Sequence, residues 1–314
     1  MSRLSYTNGD HRITYGNDLG LNTGAAEDLA RDKGHTKFML RTIGVDCPDG
    51  VELLLPWWAE CIRGSQARRG NDTMPTTDKA EEYVAGHGGF PVYVKPVSGS
   101  KGADIFKVHD AAELQTALTT YAQKRVRVAM IEKPIHMPDY RIVMLDGELI
   151  SAYQRIPLTV IGDGLRTIRE LMEVRQNEFN VLGRDTNLTK VTEQVEKHIS
   201  RYDTTLDSII EEGRELPLVP ISNLSAGGTS IDVTGYIHSR WVELAATIAH
   251  NFNLRLSGLD LACEDITNPD SAYSVLEVNA TPGLDHYALS GKAQKELVDG
   301  LYVKVLNAFP RVNS

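Results

Sequence analysis

The sequence is poor in cysteine, in aromatic residues and in positive charge. Its 314 residues include three cysteines, Cys47, Cys61 and Cys263, scattered and without CxxC spacing. An odd, dispersed set indicates neither a disulfide framework nor a cysteine zinc site, and it fits a reducing cytoplasm. Lys and Arg number 33 against 42 Asp and Glu, a formal net charge of −9. Such a balance offers no broad phosphate-tracking surface, so nucleic acid is not the expected partner. No run of about 18 apolar residues occurs, so no membrane helix is expected. The opening stretch MSRLSYTNGDHRITYGND lacks the apolar centre of a secretory signal. What is present is ordinary for a globular chain: 41% hydrophobic and 24% charged residues, and length for one large domain or two smaller ones.

Strand and helix patterns mix irregularly, which predicts an α+β fold rather than a doubly wound parallel sheet. Residues 1–22 are polar and turn-rich, with no clear periodicity. Ala25, Leu29, Phe38, Met39, Leu40 and Ile43 are spaced for an amphipathic helix across 24–44, stopped at Gly44. VDCPDGVELL reads as a short strand. A polar centre, 64–77, precedes a helix over 78–85. FPVYVKPV, DIFKVHD and RVAMIEKPI read as strands, and AAELQTALTTYAQK as a helix. DYRIVMLDGELISAYQRIP reads as a hairpin turning at Asp146-Gly147. Residues 163–214 are charge-rich and helical, an excursion between sheet segments that suits solvated helices or a dimer surface. LPLVPI, LRLSGLDLACED and SVLEVN read as strands. SNLSAGGTS is a glycine loop, and residues 239–252 and 291–309 are helices.

Glu277 and Asn279 interrupt an apolar strand just before the turn Thr281-Pro282-Gly283. Two residues apart in a strand, they leave the same face. Asp260 lies in the strand before, and the short connection 265–272 makes the two strands antiparallel neighbours. A buried carboxylate without a partner is costly. Two carboxylates and a carboxamide suit a hard divalent cation, Mg²⁺ first and Mn²⁺ second. Three such ligands can hold two metal ions against a polyphosphate.

With these residues on the page, LEVNATPG resembles the metal-binding end of the ATP-grasp superfamily of carboxylate–amine ligases. Other matches follow in the family's order. RDKGHTKFMLRTIGVDCPDG resembles its DK-x₃-TK helix, FPVYVKPVSGSKGADI its VKP strand and glycine loop, and IEKPIHMPDYRIVMLDGELISAYQRIP its adenine hinge and hairpin. GDGLRTIREL and SNLSAGGTSIDVTGYIH are more particular. They are similar to cyanophycin synthetase and to the ATP-grasp half of bifunctional glutathione synthetases. The likeness runs over roughly residues 22–290.

The resemblance implies two α+β subdomains clasping ATP. The small one falls at 89–135 and the large one at 136–314, with a helical insertion at about 163–214. A lead-in helix and polar insertion occupy 31–88. A short segment, 1–30, stands where the family has a complete N-terminal domain, and the Mur-ligase-like half of cyanophycin synthetase has no counterpart. A homodimer or a partner protein is therefore expected to complete the substrate pocket.

The resemblance also assigns roles. Lys33 and Lys95 face phosphates, and Ser98, Gly99, Ser100 and Gly102 form the phosphate loop. Lys101 in that loop touches phosphate or the incoming amine. Glu132, Lys133 and Ile135 form the adenine hinge, and Asp139 takes the ribose hydroxyls. Arg155, with Arg141 on the same hairpin, faces the γ-phosphate and the reacting carboxylate. Ser225, Gly227, Gly228 and Thr229 close over substrate, and Glu27 faces it. Asp260, Glu277 and Asn279 hold two Mg²⁺ ions. His136, His238 and His286 are expected to be structural or surface residues. The implied activity is amide or peptide bond formation through an acyl phosphate, on amino-acid or peptide substrates, with release of ADP and phosphate. The alternatives are a nucleotide-binding regulatory or scaffolding protein on the same fold, and a phosphotransferase that stops at the phosphorylated acid.

Overall fold

The structure is a computed structural model that describes residues 2–5, 11–64, 74–99 and 104–308. Ser100, Lys101 and Gly102 lie outside the described residues, as does much of the expected polar insertion. The chain folds around two antiparallel sheets.

The smaller sheet has four strands: β3 (Gly50–Leu54), β4 (Val92–Pro96), β5 (Phe106–Val108) and β6 (Val128–Glu132), in the order β3-β6-β4-β5. One face packs Leu53, Val92, Val94, Val108 and Ile131 against helices α4 (Ala80–Gly86) and α5 (Ala111–Gln123). Tyr121 of α5 is fully buried there, and its hydroxyl donates to Val94 O at 2.9 Å. Helix α3 (Pro56–Gly64) follows β3 and stacks Trp57 under Arg125.

The larger sheet contains β7 (Asp139–Leu145), β8 (Glu148–Ile156), β11 (Thr229–Asp232), β12 (Leu256–Cys263) and β13 (Tyr273–Asn279), in the order β11-β8-β7-β12-β13. Asp146 and Gly147 turn the β7–β8 hairpin with φ of 50° and 82°. Both central residues at positive φ match the twist of the strands they join. One face of this sheet buries Ile142, Ala152, Leu259, Leu261, Val275 and Val278 under α1 (Gly24–Arg31), α2 (Lys33–Thr42) and α8 (Ser239–Asn251), with Trp241 and Phe252 in the core. The other face is apolar at one end, where α9 (Asp285–Ala288) and α10 (Lys292–Ala308) cover Val143, Leu145 and Tyr153. The rest of that face carries charge.

Three differences from the sequence reading have local causes. The helix expected over 24–44 is two helices. Asp32 ends the first in an extended conformation and caps the second by accepting from His35 N at 2.9 Å. An aspartate at that point offers the backbone a competing hydrogen bond. The polar N-terminal stretch contains a hairpin, β1 (Ser2–Ser5) with β2 (His11–Thr14). The end of the glycine loop is strand β11, paired with β8 at the sheet's edge. Such short strands give too little alternation to read.

The helical excursion is more than a solvated surface. Helices α6 (Ile168–Val181) and α7 (Thr192–Ile199) close a core of their own with the ribbon β9 (Thr159–Ile161) and β10 (Glu215–Pro217). Ile168, Phe179, Leu188, Val195 and Ile199 are buried in it. Thr167 and Glu170 form a reciprocal cap at the start of α6.

Candidate active site

A bulge explains why an apolar strand presents a carboxylate. In β13, Val275 pairs with Leu261 and Glu277 pairs with the adjacent residue Asp260, so Leu276 is the extra residue. The bulge reverses the alternation. Before it, Val275 points into the helix-covered core; after it, Glu277 and Asn279 point to the opposite face. Asp260 pairs with Glu277 on one side and with Arg141 on the other. Arg141 pairs with Tyr153, and Asp139 with Arg155. Directly opposed residues share a face. Asp139, Arg141, Tyr153, Arg155, Asp260, Glu277 and Asn279 therefore form one polar surface.

Its centre is a dense ion network. Arg141 donates through Nε and Nη2 to the two carboxylate oxygens of Asp260, the second at 3.0 Å. Arg155 Nη2 lies 2.7 and 2.9 Å from the oxygens of Asp139 and 2.9 Å from Asp260 Oδ2. Burial alone would raise the Asp260 carboxyl, but Arg141 and Arg155 together hold it below its ordinary value. Asp139 goes the other way. Burial pushes it up to about 6 despite Arg155, and the nearby charge of Asp260 adds to the rise. Arg155 is raised above its usual value by Asp139 and Asp260, against burial. Gly258 makes the packing possible: a Cβ there would sit 2.9 Å from Pro282 Cβ and 3.1 Å from Arg141 Cδ.

A second network lies at the start of α2. Lys33 N donates to Val97 O at 3.1 Å, and its ammonium lies 3.4 Å from both Gly99 O and Glu277 Oε1. Lys33 thus links the loop after β4 to the large sheet. One turn on, Lys37 donates to Pro48 O at 2.6 Å and pairs with Glu132. Lys95 pairs with the same carboxylate at 2.5 Å. Burial opposes ionisation of Glu132, but Lys95 and then Lys37 hold its carboxyl below the ordinary value. Lys37 is lowered by burial even with Glu132 beside it.

Two of the residues expected at the nucleotide have partners within the chain. Glu132, expected in the adenine hinge, lies on the inner strand β6, opposite Gly50 on one side and Tyr93 on the other. Its side chain is the feature that matters, as the counter-charge of two lysines. Asp139, expected on ribose hydroxyls, accepts from Arg155 through both carboxylate oxygens. Lys133 donates to Gly89 O at 2.6 Å, and Ile135 is half-buried just beyond β6.

A cleft of about 1210 Å³ opens over the arginine surface. Arg141, Tyr153, Arg155, Asn279 and Thr281-Pro282-Gly283 form its floor. Of the four expected loop residues, only Ser225 lines it, with its hydroxyl on Asn223 Oδ1 at 3.0 Å. Gly227 and Gly228 serve the backbone: Gly227 has φ of 100°, and a Cβ on Gly228 would lie 2.6 Å from Ile156 O. Thr229 begins β11, opposite Ile156. Glu27 stands behind Asp18, which lines the cleft with Tyr15, Gly16 and Asn17. Burial, then the charge of Asp18, raises the Glu27 carboxyl. His286 lines the cleft 3.6 Å from Asp185, His238 caps α8, and His136 is exposed.

Sequence reasoning missed Lys37 and the cleft wall from Tyr15 to Asp18. Lys37 was legible: it is four residues from Lys33 and shares its helix face. The N-terminal wall had no such signal.

Among the described residues, no group of three His, Cys, Asp or Glu could hold a metal ion. The set Asp260, Glu277 and Asn279 has only two acids. The Asn279 amide nevertheless fits a cation site, because its Nδ2 is buried without a hydrogen-bond partner. The two amide atoms exchange by a flip that leaves the shape unchanged, so an oxygen can occupy that orphaned position beside two carboxylates. The donors thus fit a hard, oxygen-seeking cation.

Two sheets facing across a charged cleft define the ATP-grasp fold, and solved structures share it. A bifunctional glutathione synthetase from Pasteurella multocida matches with a TM-score of 0.52 and 21% identity, over 91% of this chain and 38% of that one. A D-alanine–D-alanine ligase from Bacillus anthracis matches with a TM-score of 0.51 and 16% identity, over 91% of this chain and 70% of the other. Residues 72–167 match the family described as prokaryotic glutathione synthetase, ATP-grasp domain. The chain has the ATP-grasp fold. In sequence it is 30% identical over 265 residues to a cyanophycin synthetase of Crocosphaera subtropica, covering 82% of this chain and 28% of that protein. It is 30% identical over 231 residues to a glutathione biosynthesis bifunctional protein of Streptococcus thermophilus, covering 68% and 30%. The chain therefore spans less than a third of these relatives' length. No described helix is long and apolar enough to cross a membrane.

Proposed function

We propose that the chain is an ATP-dependent carboxylate–amine ligase that forms an amide or peptide bond on amino-acid or peptide substrates. The observation that carries this reading is the grouping of Arg141, Arg155, Asp260, Glu277 and Asn279 on one sheet face beneath a large cleft. A site that only held nucleotide would have little use for two buried guanidinium groups at the cleft floor.

The reaction runs in two transfers. The substrate carboxylate attacks the γ-phosphorus of ATP, the bond to the β-phosphate oxygen breaks, and ADP leaves. An amine nitrogen then attacks the acyl carbon, phosphate departs, and the amine loses one proton. Arg155 and Arg141 stabilise the charge on the transferring group and on the tetrahedral oxyanion. Their pairing with Asp139 and Asp260 fixes the two forks before substrate arrives, which lowers the cost of orientation. Lys33 and Lys95 supply compact positive charge to the phosphates. Asp260, Glu277 and Asn279 would hold Mg²⁺, which supplies charge neutralisation and a template for the polyphosphate. The relatives' names point to amino-acid and peptide chemistry, and that supports the substrate class.

The test is a screen for phosphate release over pairs of amino acids and small peptides with MgATP. Release that requires both an acid and an amine supports ligation. Release with an acid alone indicates a phosphotransferase. Nucleotide binding without release under any pair overturns the proposal in favour of a regulatory or scaffolding role. The Glu277→Gln variant is the control.

A further inference from the structure

One part of the cleft lining is basic, although the chain as a whole carries −9. Lys107 of β5, Lys197 and His198 at the end of α7, and Arg201 just after it all line the cleft. Glu113 at the start of α5 lies among them. It accepts from Arg201 at 2.6 Å and lies 3.5 Å from Lys197. One carboxylate thus serves two cations, and it also accepts from His109 N at 2.9 Å. Among the described residues, Lys107 has no carboxylate partner; its ammonium lies 5.9 Å from the Tyr93 ring. Burial and then the charge of Arg201 lower Lys107, His109 and His198. Glu193, one turn before Lys197 on α7, also lines the cleft, so Lys107, Lys197 and Arg201 stand against two carboxylates, and the remaining positive charge costs stability in the absence of a ligand.

Lys33, Lys37, Lys95 and Glu132 lie outside the cleft lining, whereas the basic wall shares the cleft with Arg141, Arg155 and Asn279. The cleft, about 1210 Å³, is also larger than the roughly 300–1,000 Å³ typical of a small-molecule site. It has room for a substrate that extends from the arginine floor to the basic wall.

We propose that Lys107, Lys197, His198 and Arg201 form an anion subsite for a second negative group, carboxylate or phosphate, on the acid substrate, some distance from the carboxylate that reacts. This rests on the ligase reading for the word substrate, but the subsite can be tested without turnover. The acid is then a multiply charged molecule such as an acidic peptide, and a neutral peptide of equal length is a poor substitute.

The experiment is calorimetry on the full chain with Mg²⁺ and AMP-PNP, a nucleotide that does not transfer its terminal phosphate. Three probes are compared: tri-aspartate, Ala-phosphoserine-Ala and tri-alanine. The expected result is about tenfold or greater preference for an anionic probe over tri-alanine, as charge-assisted contacts give. The stronger of the two anionic probes identifies the group as carboxylate or phosphate. Lys107→Gln and Lys197→Gln should each weaken the anionic probe several-fold and leave AMP-PNP affinity unchanged. Lys107→Gln breaks no ion pair, so a folding defect is not expected. Equal binding of all three probes, no binding of any, or loss of AMP-PNP affinity in place of peptide affinity would overturn the subsite. Anion binding with no phosphate release in the substrate screen refutes ligation and leaves the subsite standing. Phosphate release with neutral acids that ignores Lys107 does the reverse.

Discussion

Replacing Glu132 with glutamine removes the one negative charge between two buried ammonium groups. The side chains of Glu132, Lys37 and Lys95 are 6%, 6% and 11% exposed, so water screens none of them well. Removing one partner of such a group leaves an uncompensated charge and costs ~3–5 kcal/mol. Lys37 keeps its bond to Pro48 O, which limits the loss but neutralises nothing. The variant's second signature is its pH dependence. Burial already depresses Lys37, and without the carboxylate its folded pKa falls further below the unfolded ~10.4. Between those two values the unfolded chain binds more protons, so stability rises with pH. One lysine neutral throughout contributes up to ~2.7 kcal/mol between pH 7 and 9. Urea unfolding of Glu132→Gln and the parent at both pH values measures the gap, which should be large at pH 7 and narrower at pH 9. Lys37→Met in the Glu132→Gln background should restore part of the loss. A loss under ~1 kcal/mol, or one indifferent to pH, would refute the buried triad.

Glu277→Gln should behave differently. Its side chain is 32% exposed and its contact with Lys33 is 3.4 Å, so stability should fall by less than ~1 kcal/mol, while phosphate release with MgATP is lost. Thermal melts alongside the release assay separate the two effects. Asp139→Asn should flatten the stability profile between about pH 4 and 6. The raised carboxyl of Asp139 contributes stability below its unfolded ~3.9, and that contribution is lost as pH rises through about 6. Urea midpoints across pH 4–7 check this, and a variant profile as steep as the parent's rejects it. Gly258→Ala should displace Arg141 or Pro282, because the new methyl meets them at 3.1 and 2.9 Å. Phosphate release should drop at least tenfold with circular dichroism unchanged; full activity would show that Arg141 is not held as described.

The α+β architecture and the shared face of Asp260, Glu277 and Asn279 were legible because they rest on patterns of two to four residues. Alternation reveals a strand, and Glu-x-Asn before a Pro-Gly turn reveals which face is polar. The register of Asp260 opposite Glu277 was legible from the short connection between their strands. The bulge at Leu276 was not, since an extra residue leaves no mark in composition. Yet that residue decides which way Glu277 points, and without it Glu277 would share the face of Val275 in the core. Partnership across the chain was hidden for the same reason. Lys37 and Lys95 are 58 positions apart and meet only because α2 and β4 converge on Glu132. The resemblance placed Glu132 in the adenine hinge and said nothing of its side chain, but its apolar neighbours are what force a buried carboxylate to find two cations. The basic wall is the extreme case. Lys107 and Arg201 are 94 positions apart, one on the small sheet and one in the helical excursion, and only the fold sets them in one cleft. Paired residues close in sequence can be found by spacing; charge left unpaired by the fold appears only in three dimensions.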